Sequence, residues 1–307
     1  MLTHRPATTI DDLRAAGLVM TRAWQADSPL VAATPAAIEW WHASTAPDPL
    51  EAHLRLWSDD GSEVAWSWHD GDELEWHVWT GDPGRDPEVF RAILEAGVSD
   101  AGIRPVGSWS AEDDAAATRV LVDLGFVLAE KRLSQFQWRA NGMGTNAIRD
   151  VALPPGYRIR PLAGPDEIPA RVEVHRAAFA PSRMTVEKYE RLLTMPHYRI
   201  EDDLVVEAPD GTLAAFAMAW WDPDARVGEF EPVGTHPDHQ RRGLSRALLS
   251  WGVRRYAERG ARLVQVYSDV SNAASEALYE AVGFERRAFH RRYEHPGRPE
   301  PDLQSRP

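Results

Sequence analysis

The chain of 307 residues runs through one order of elements twice, and that repeat restricts its fold more than any other feature. A shift of 158 residues lays Gly102 on Gly260, Arg104 on Arg262, Val106 on Val264 and Asp114-Ala115-Ala116 on Asn272-Ala273-Ala274. Without a gap, the same shift lays Gly125-Phe126 on Gly283-Phe284. An earlier turn, Asp60-Gly61, matches Asp210-Gly211 at a shift of 150, so the second copy is eight residues longer between that turn and the next loop. One shift spanning two helices and a shared order of elements points to two copies of a single α/β unit.

In the first copy, residues 9–41 read as two helices, with Asp11 and Asp12 opening one and Pro35 in the first turn of the other. Extended runs at 53–57 and 63–69 flank a hairpin turn, and a third at 73–80 leads to a helix near 88–101. A strand at 106–109, a helix near 113–124 and a strand at 132–138 follow. The second copy predicts strands at 157–161, 204–208, 213–220, 227–235 and 263–267. Its helices fall at 166–180, 185–194, after Gly243, and at 272–282. The stretch 141–156, with Asn141-Gly142-Met143-Gly144 and Pro154-Pro155-Gly156, reads as a linker. The expected domains are therefore 1–140 and 157–296, with a tail at 297–307.

A net charge of −13 argues against nucleic acid or an anionic membrane as the partner of the whole chain. With no cysteine there is no disulfide frame, no thiolate metal site and no cysteine nucleophile. His236 and His239 flank Asp238 in a loop, a pattern that reads as a polar turn, and no metal is expected. The N-terminal residues lack an apolar signal region and no run reaches membrane-spanning length, so the expected location is the cytoplasm.

Chemistry is concentrated in the second copy. The strand 227–235 leads through a polar loop into a helix whose Leu244, Ala247, Leu248 and Trp251 recur at helical spacing, ending at Gly260. A loop between strand and helix N-terminus suits an anion, because the first N–H groups lack partners and the helix dipole favours negative charge. Gly243 lets the backbone approach a phosphate, and Arg241, Arg242 and Arg246 add positive charge there. Gln240-Arg241-Arg242-Gly243-Leu244-Ser245 resembles the pyrophosphate loop of the GNAT superfamily of acetyl-CoA-dependent N-acetyltransferases, Gln/Arg-x-x-Gly-x-Gly/Ala. Ser245 departs mildly from the small residue of that pattern. Residues 272–284, from Asn272 through Tyr279 to Gly283-Phe284, resemble the same family's Asn-x-x-Ala-x-x-Leu-Tyr-x-x-x-Gly-Phe signature, with Ser275 for its alanine.

The resemblance implies an α+β fold of mixed α/β/α layers: two tandem GNAT-like units, each a twisted mixed sheet flanked by helices. It implies acetyl-CoA as cosubstrate, held by the main chain of Val233, Gly234 and Thr235 and by the loop Gln240, Arg241, Arg242, Gly243, Leu244 and Ser245, with Asn272 on its pantetheine arm. Tyr279 takes the role of general acid to the leaving thiol; a phenol with a pKa near 10 is protonated at neutral pH. Glu229, eleven residues before Gln240, takes the position of the family's carboxylate base, and Glu231 shares its strand face. A glutamate in water titrates at about 4.3, so such a base needs burial or a bridging water. An alternative role for both carboxylates is binding the substrate ammonium. Asp222, Asp224 and residues 179–198 are substrate-side candidates.

The first copy differs where it matters. At the 158 shift, Asp82, Arg85, Pro87 and Leu121 fall on Gln240, Gly243, Ser245 and Tyr279, so one working site per chain is expected, in the second copy. The expected activity is transfer of acetyl from acetyl-CoA to the primary amine of a small molecule, by direct attack, in a monomer, with a weak homodimer as the alternative. Acetylation of a protein or peptide amine, or acyl-CoA sensing without turnover, are the alternatives.

Overall fold

The computed structural model describes residues 1–26, 33–44, 48–140, 148 and 151–297. Most of the expected linker, at 141–147, 149 and 150, and the tail from 298 lie outside the described residues. The described residues form two compact units, one of residues 1–26, 48–133 and 288–297, the other of 33–44, 134–140, 148 and 151–287. These bounds cut across the chain-order domains 1–140 and 157–296: residues 33–44 fall with the second unit, and each copy's last strand is divided between units.

The first unit begins with β1 (Leu2–Pro6) and α1 (Ile10–Gln25). Thr9 and Asp12 close a capping box at the start of α1, each side chain accepting from the other's backbone N–H. Then come β2 (Leu54–Asp59), β3 (Ser62–Asp70) and β4 (Glu73–Val78), an antiparallel meander turning at Asp60-Gly61 and Gly71. After α3 (Asp86–Ala101), β5 (Val106–Ala111) pairs parallel to β4, and α4 (Ala115–Asp123) follows. The core gathers Trp57, Leu74, Phe90, Ile93, Leu94, Leu121 and Phe126.

The second unit contains α2 (Pro35–Ser44) and the end of β6 (Val127–Arg139). Its own run is β7 (Arg158–Pro161), α5 (Ile168–Ala178), α6 (Val186–Leu192), β8 (Asp203–Glu207), β9 (Leu213–Asp222) and β10 (Val227–Thr235). Next come α7 (Leu244–Glu258), β11 (Leu263–Asp269), α8 (Ala273–Val282) and β12 (Glu285–His295), whose end, from Ala288, belongs to the first unit and pairs with β5. The strand order in this unit is β6-β11-β10-β9-β8-β7. Both units are thus mixed sheets flanked by helices. The core sits beneath α7 and α8, around Phe136, Phe230, Leu248, Leu249, Val253, Tyr256 and Tyr279.

A buried ion pair fixes α5 and α6 to this sheet. Arg171 on α5 donates from Nε to Asp203 Oδ1 at 3.0 Å, with both side chains fully buried. The other Asp203 oxygen accepts from the hydroxyls of Tyr189 and Tyr198, and the guanidinium lies 3.7 Å from the Phe216 ring centroid. Among the described residues, no helix is long and apolar enough to cross a membrane.

Candidate active site

The site starts from an interruption in the second unit's sheet. β10 pairs parallel to β11 at Val227↔Leu263, Gly228↔Val264 and Glu229↔Gln265, and at no later position. Both strands run on, to Thr235 and Asp269, so they diverge beyond Glu229. A register irregularity between Phe230 and Val233, where β10 meets β9, bends the strand at the same level. The wedge between β10 and β11 exposes strand backbone with unspent hydrogen-bonding capacity, which suits an extended ligand with amide groups.

At the C-terminal end of β10 the chain turns into α7. Arg241 and Gly243 both have positive φ, 59° and 77°, so the loop curls tightly before the helix. No side chain caps α7 and its first turn holds no acid. Gln240, Arg241, Arg242 and Gly243 are exposed, and nothing lies within 4 Å of a Cβ built on Gly243. Arg242 donates to Tyr157 Oη and to the Asp238 carbonyl, both at 3.2 Å, and Tyr157 Oη sits 2.9 Å from His239 Nδ1. Leu244 is buried in the core, leaving its backbone to the loop. The Thr235 and Ser245 hydroxyls bond to each other, tying the end of β10 to the start of α7. That bond gives a reason for serine at the third small position. Gly234 has a packing role: a Cβ there would come 2.5 Å from Phe216 and 2.9 Å from Ala178. Val233 packs on the core's edge, and Asn272 caps α8, accepting from Ser275 N at 3.1 Å.

Of the candidate catalytic side chains, Glu229 and Glu231 lie on β10, where it parts from β11, and Tyr279 lies on α8. Tyr279, 5% exposed, packs edge-on against Phe136 at 5.6 Å. Burial, and after it the proximity of Glu231, pushes its phenol above the usual tyrosine range, against a hydrogen bond with Ser275. It therefore stays protonated at neutral pH. Glu229 is 2% exposed. Its Oε2 accepts from Thr34 Oγ1 and from Gln265 Nε2, the latter at 3.2 Å, and Gln265 in turn accepts from Gln135 Nε2 at 3.0 Å. Burial raises the Glu229 carboxyl above the ordinary carboxylate range, opposed by hydrogen bonds from Thr34, Gln265 and Glu231. Glu231, half-buried, fixes its backbone by accepting from Trp220 Nε1 at 2.7 Å. Asp222 is spent on a turn, accepting from the backbone of Asp224 and Ala225, and His197 is paired with Glu39 at 2.5 Å.

Thr34 and Gln265 escape the sequence reading. Thr34 lies 195 residues from Glu229 in the chain and carries no local signal. Gln265 has one: it is the polar residue inside the apolar run Leu263-Val264-Gln265-Val266, fully buried.

The first unit shows the same places differently furnished. Strand register sets Glu73 against Gly107, as it sets Glu229 against Gln265, so Glu73 and Glu75 stand where Glu229 and Glu231 stand. Glu73 is bound to Arg292 at 2.9 Å. The start of α3 is filled by its own acids: Asp86 accepts from Thr80 N and Oγ1, at 2.9 and 2.6 Å, and Arg85 is held by Asp59 and Glu88. Leu121 is fully buried where the second unit has Tyr279.

The sequence pattern of the acetyltransferase (GNAT) family matches residues 172–284, the stretch that holds the wedge, the α7 loop and Tyr279. Residues 172–284 are a GNAT acetyltransferase domain. The chain is similar to the mycothiol acetyltransferase of Kineococcus radiotolerans, 34% identical over 201 residues, 64% of each chain. It is also similar to that of Kocuria rhizophila, 32% identical over 199 residues, 59% of this chain and 62% of that one. The match spans a little under two thirds of these relatives' length. Among solved structures, a tandem GNAT protein from the clavulanic acid biosynthesis pathway superposes with a TM-score of 0.68, covering 98% of this chain and 100% of that one at 15% identity. The whole chain therefore has the tandem GNAT fold.

Proposed function

We propose that the second unit transfers an acetyl group from acetyl-CoA to the primary amine of a small molecule. The observation that carries this reading is the convergence of three features at one end of one sheet: strands that part after Glu229, a helix N-terminus free of acid and side-chain cap, and a buried protonated phenol beside a carboxyl pair. Acetyl-CoA supplies an activated acyl carbon as a thioester. The α7 loop, Gln240 to Ser245, holds its pyrophosphate through backbone N–H groups, with Arg241 and Arg242 at the exposed rim. Val233, Gly234 and Thr235 offer main-chain groups to the pantetheine arm, and Asn272 lies at the opposite lip. The carboxyl pair takes the proton that the amine loses as it attacks. The Tyr279 hydroxyl gives its proton to the departing sulfur. A small-molecule acceptor is supported by the relatives named mycothiol acetyltransferases.

The test is release of free CoA from acetyl-CoA by the full chain, with amino sugars, amino-acid amides, polyamines and short peptides as acceptors. N-acetylation of at least one small amine is expected. Acetylation of peptides alone moves the acceptor class to proteins; binding without any turnover makes the chain a sensor.

A further inference from the structure

The Glu229 carboxyl is held by neutral donors on other elements, and part of that hold comes from the first copy of the sequence. Glu229 is 2% exposed, so its carboxyl has lost water and needs partners within the protein. Thr34 Oγ1, just before α2, donates to Glu229 Oε2, and Gln265 Nε2, on β11, donates to the same oxygen at 3.2 Å. Gln135 Nε2, on β6, donates to Gln265 Oε1 at 3.0 Å. All four side chains are buried. The strands stand in the order β6-β11-β10, so Gln135, Gln265 and Glu229 form a chain of bonds across the sheet.

The direction of that chain matters. An amide has an acceptor on one side and donors on the other. With its oxygen taken by Gln135, Gln265 presents its NH2 to the carboxyl; reversed, it would set oxygen against oxygen. Thr34, stiff at χ1 because it is β-branched, supplies the second donor. Neither donor is charged, so they favour the ionised carboxyl, the form a base needs, without adding a counter-charge. The first unit is arranged otherwise. Glu73, in the same strand register, is bound by Arg292 at 2.9 Å, and a Cβ on Gly107, opposite it, would come 2.2 Å from that guanidinium.

We infer that Thr34 and Gln135 are positioning residues for the second unit's base, Thr34 acting on Glu229 directly and Gln135 through Gln265. This rests on the acetyltransferase reading above. Both residues lie in the sequence copy 1–140, whose own loop has lost the acetyl-CoA pattern, yet both fall within the second unit. The first copy thereby has a part in the second unit's reaction: it orients a proton acceptor that residues 157–296 alone would leave with Gln265. Titratable groups on the elements around Glu229 are Glu231 of β10, Tyr279 of α8, and Tyr256 of α7, whose hydroxyl donates to the Glu229 carbonyl at 3.1 Å. His197, paired with Glu39, and Asp222 line one small cavity with Thr34.

Thr34→Val in the full chain keeps the branched shape and removes the donor. It is expected to lower kcat about 10–100-fold, the weight of one hydrogen bond to a charged group, with acetyl-CoA affinity within about twofold of native. The acid limb of the kcat/KM profile moves to higher pH, because a carboxylate with one donor fewer holds a proton more tightly. Thr34→Ser restores both. Gln135→Met acts in the same direction through Gln265 and carries the test if Thr34→Val does not fold. An acid limb unmoved by loss of the donor, as it would be if His197 set it, overturns the inference; so does a loss that serine does not restore. If the native chain acetylates no amine, the acetyltransferase reading fails. Infrared titration of Glu229, taken as native minus Glu229→Gln, then decides the hold by itself: a higher midpoint in Thr34→Val supports it, and an equal midpoint removes it.

Discussion

Tyr279→Phe lowers kcat by about 10²–10⁴-fold, the range for loss of a general acid, while acetyl-CoA binds with undiminished affinity. The substitution removes one oxygen from a side chain that is otherwise core. Its ring keeps the edge-on contact with Phe136 and the neighbouring Phe284. The lost hydroxyl leaves only the Ser275 partner short of one bond, and Ser275, half-buried, can turn to solvent. The first unit makes the same point, since Leu121 fills the equivalent place with no polar atom. A folding defect is therefore not the expected outcome. On the proposed mechanism the phenol supplies the leaving thiolate's proton, and burial, by raising its pKa, keeps that proton in place at neutral pH. Steady-state turnover with the best acceptor, beside calorimetric binding of acetyl-CoA, measures both. A kcat within about threefold of native removes the acid role from Tyr279.

Asp203→Ala destabilises the second unit by about 3–5 kcal/mol, the cost of stranding one half of a buried ion pair. Arg171 would keep a full charge with no carboxylate partner, since both side chains are fully buried. The Tyr189 and Tyr198 hydroxyls would lose their acceptor as well. Stacking on Phe216 does not replace a counter-charge. Because Arg171 sits on α5 and Tyr189 on α6, the loss loosens the two helices packed over the sheet. Urea unfolding compares the midpoints. A shift worth less than about 1 kcal/mol means that water reaches the guanidinium and that the pair behaves as a surface one.

The sequence is most legible where local rules act alone. The turn at Asp60-Gly61, the capped start of α1, Pro35 at the head of α2 and the span from Gly243 to Gly260 follow from residue chemistry and periodicity, and the structure places helices and turns there. β12 escapes that reading because Glu285-Arg286-Arg287 and Arg291-Arg292 hide its alternation; long charged stems cover apolar surface while their heads reach water or partners. β1 escapes it for a related reason, with His4 and Arg5 in a five-residue edge strand. The exchange of last strands is not a local property, and no pattern within either copy signals it. Of the site, the α7 loop and Tyr279 are visible as motifs. The donors around Glu229 are not, because Thr34 comes from a distant segment. The match of Glu73-x-Glu75 to Glu229-x-Glu231 is hidden too. It needs a shift of 156, which a single register of 158 steps over, and only strand pairing reveals it.

One unit of the two is expected to hold acetyl-CoA. Calorimetric titration of the full chain with acetyl-CoA tests it most directly. A single site per chain is expected, because the second unit's α7 begins without acids while α3 of the first begins with Asp86 and Glu88. Two sites per chain, or none, would contradict it.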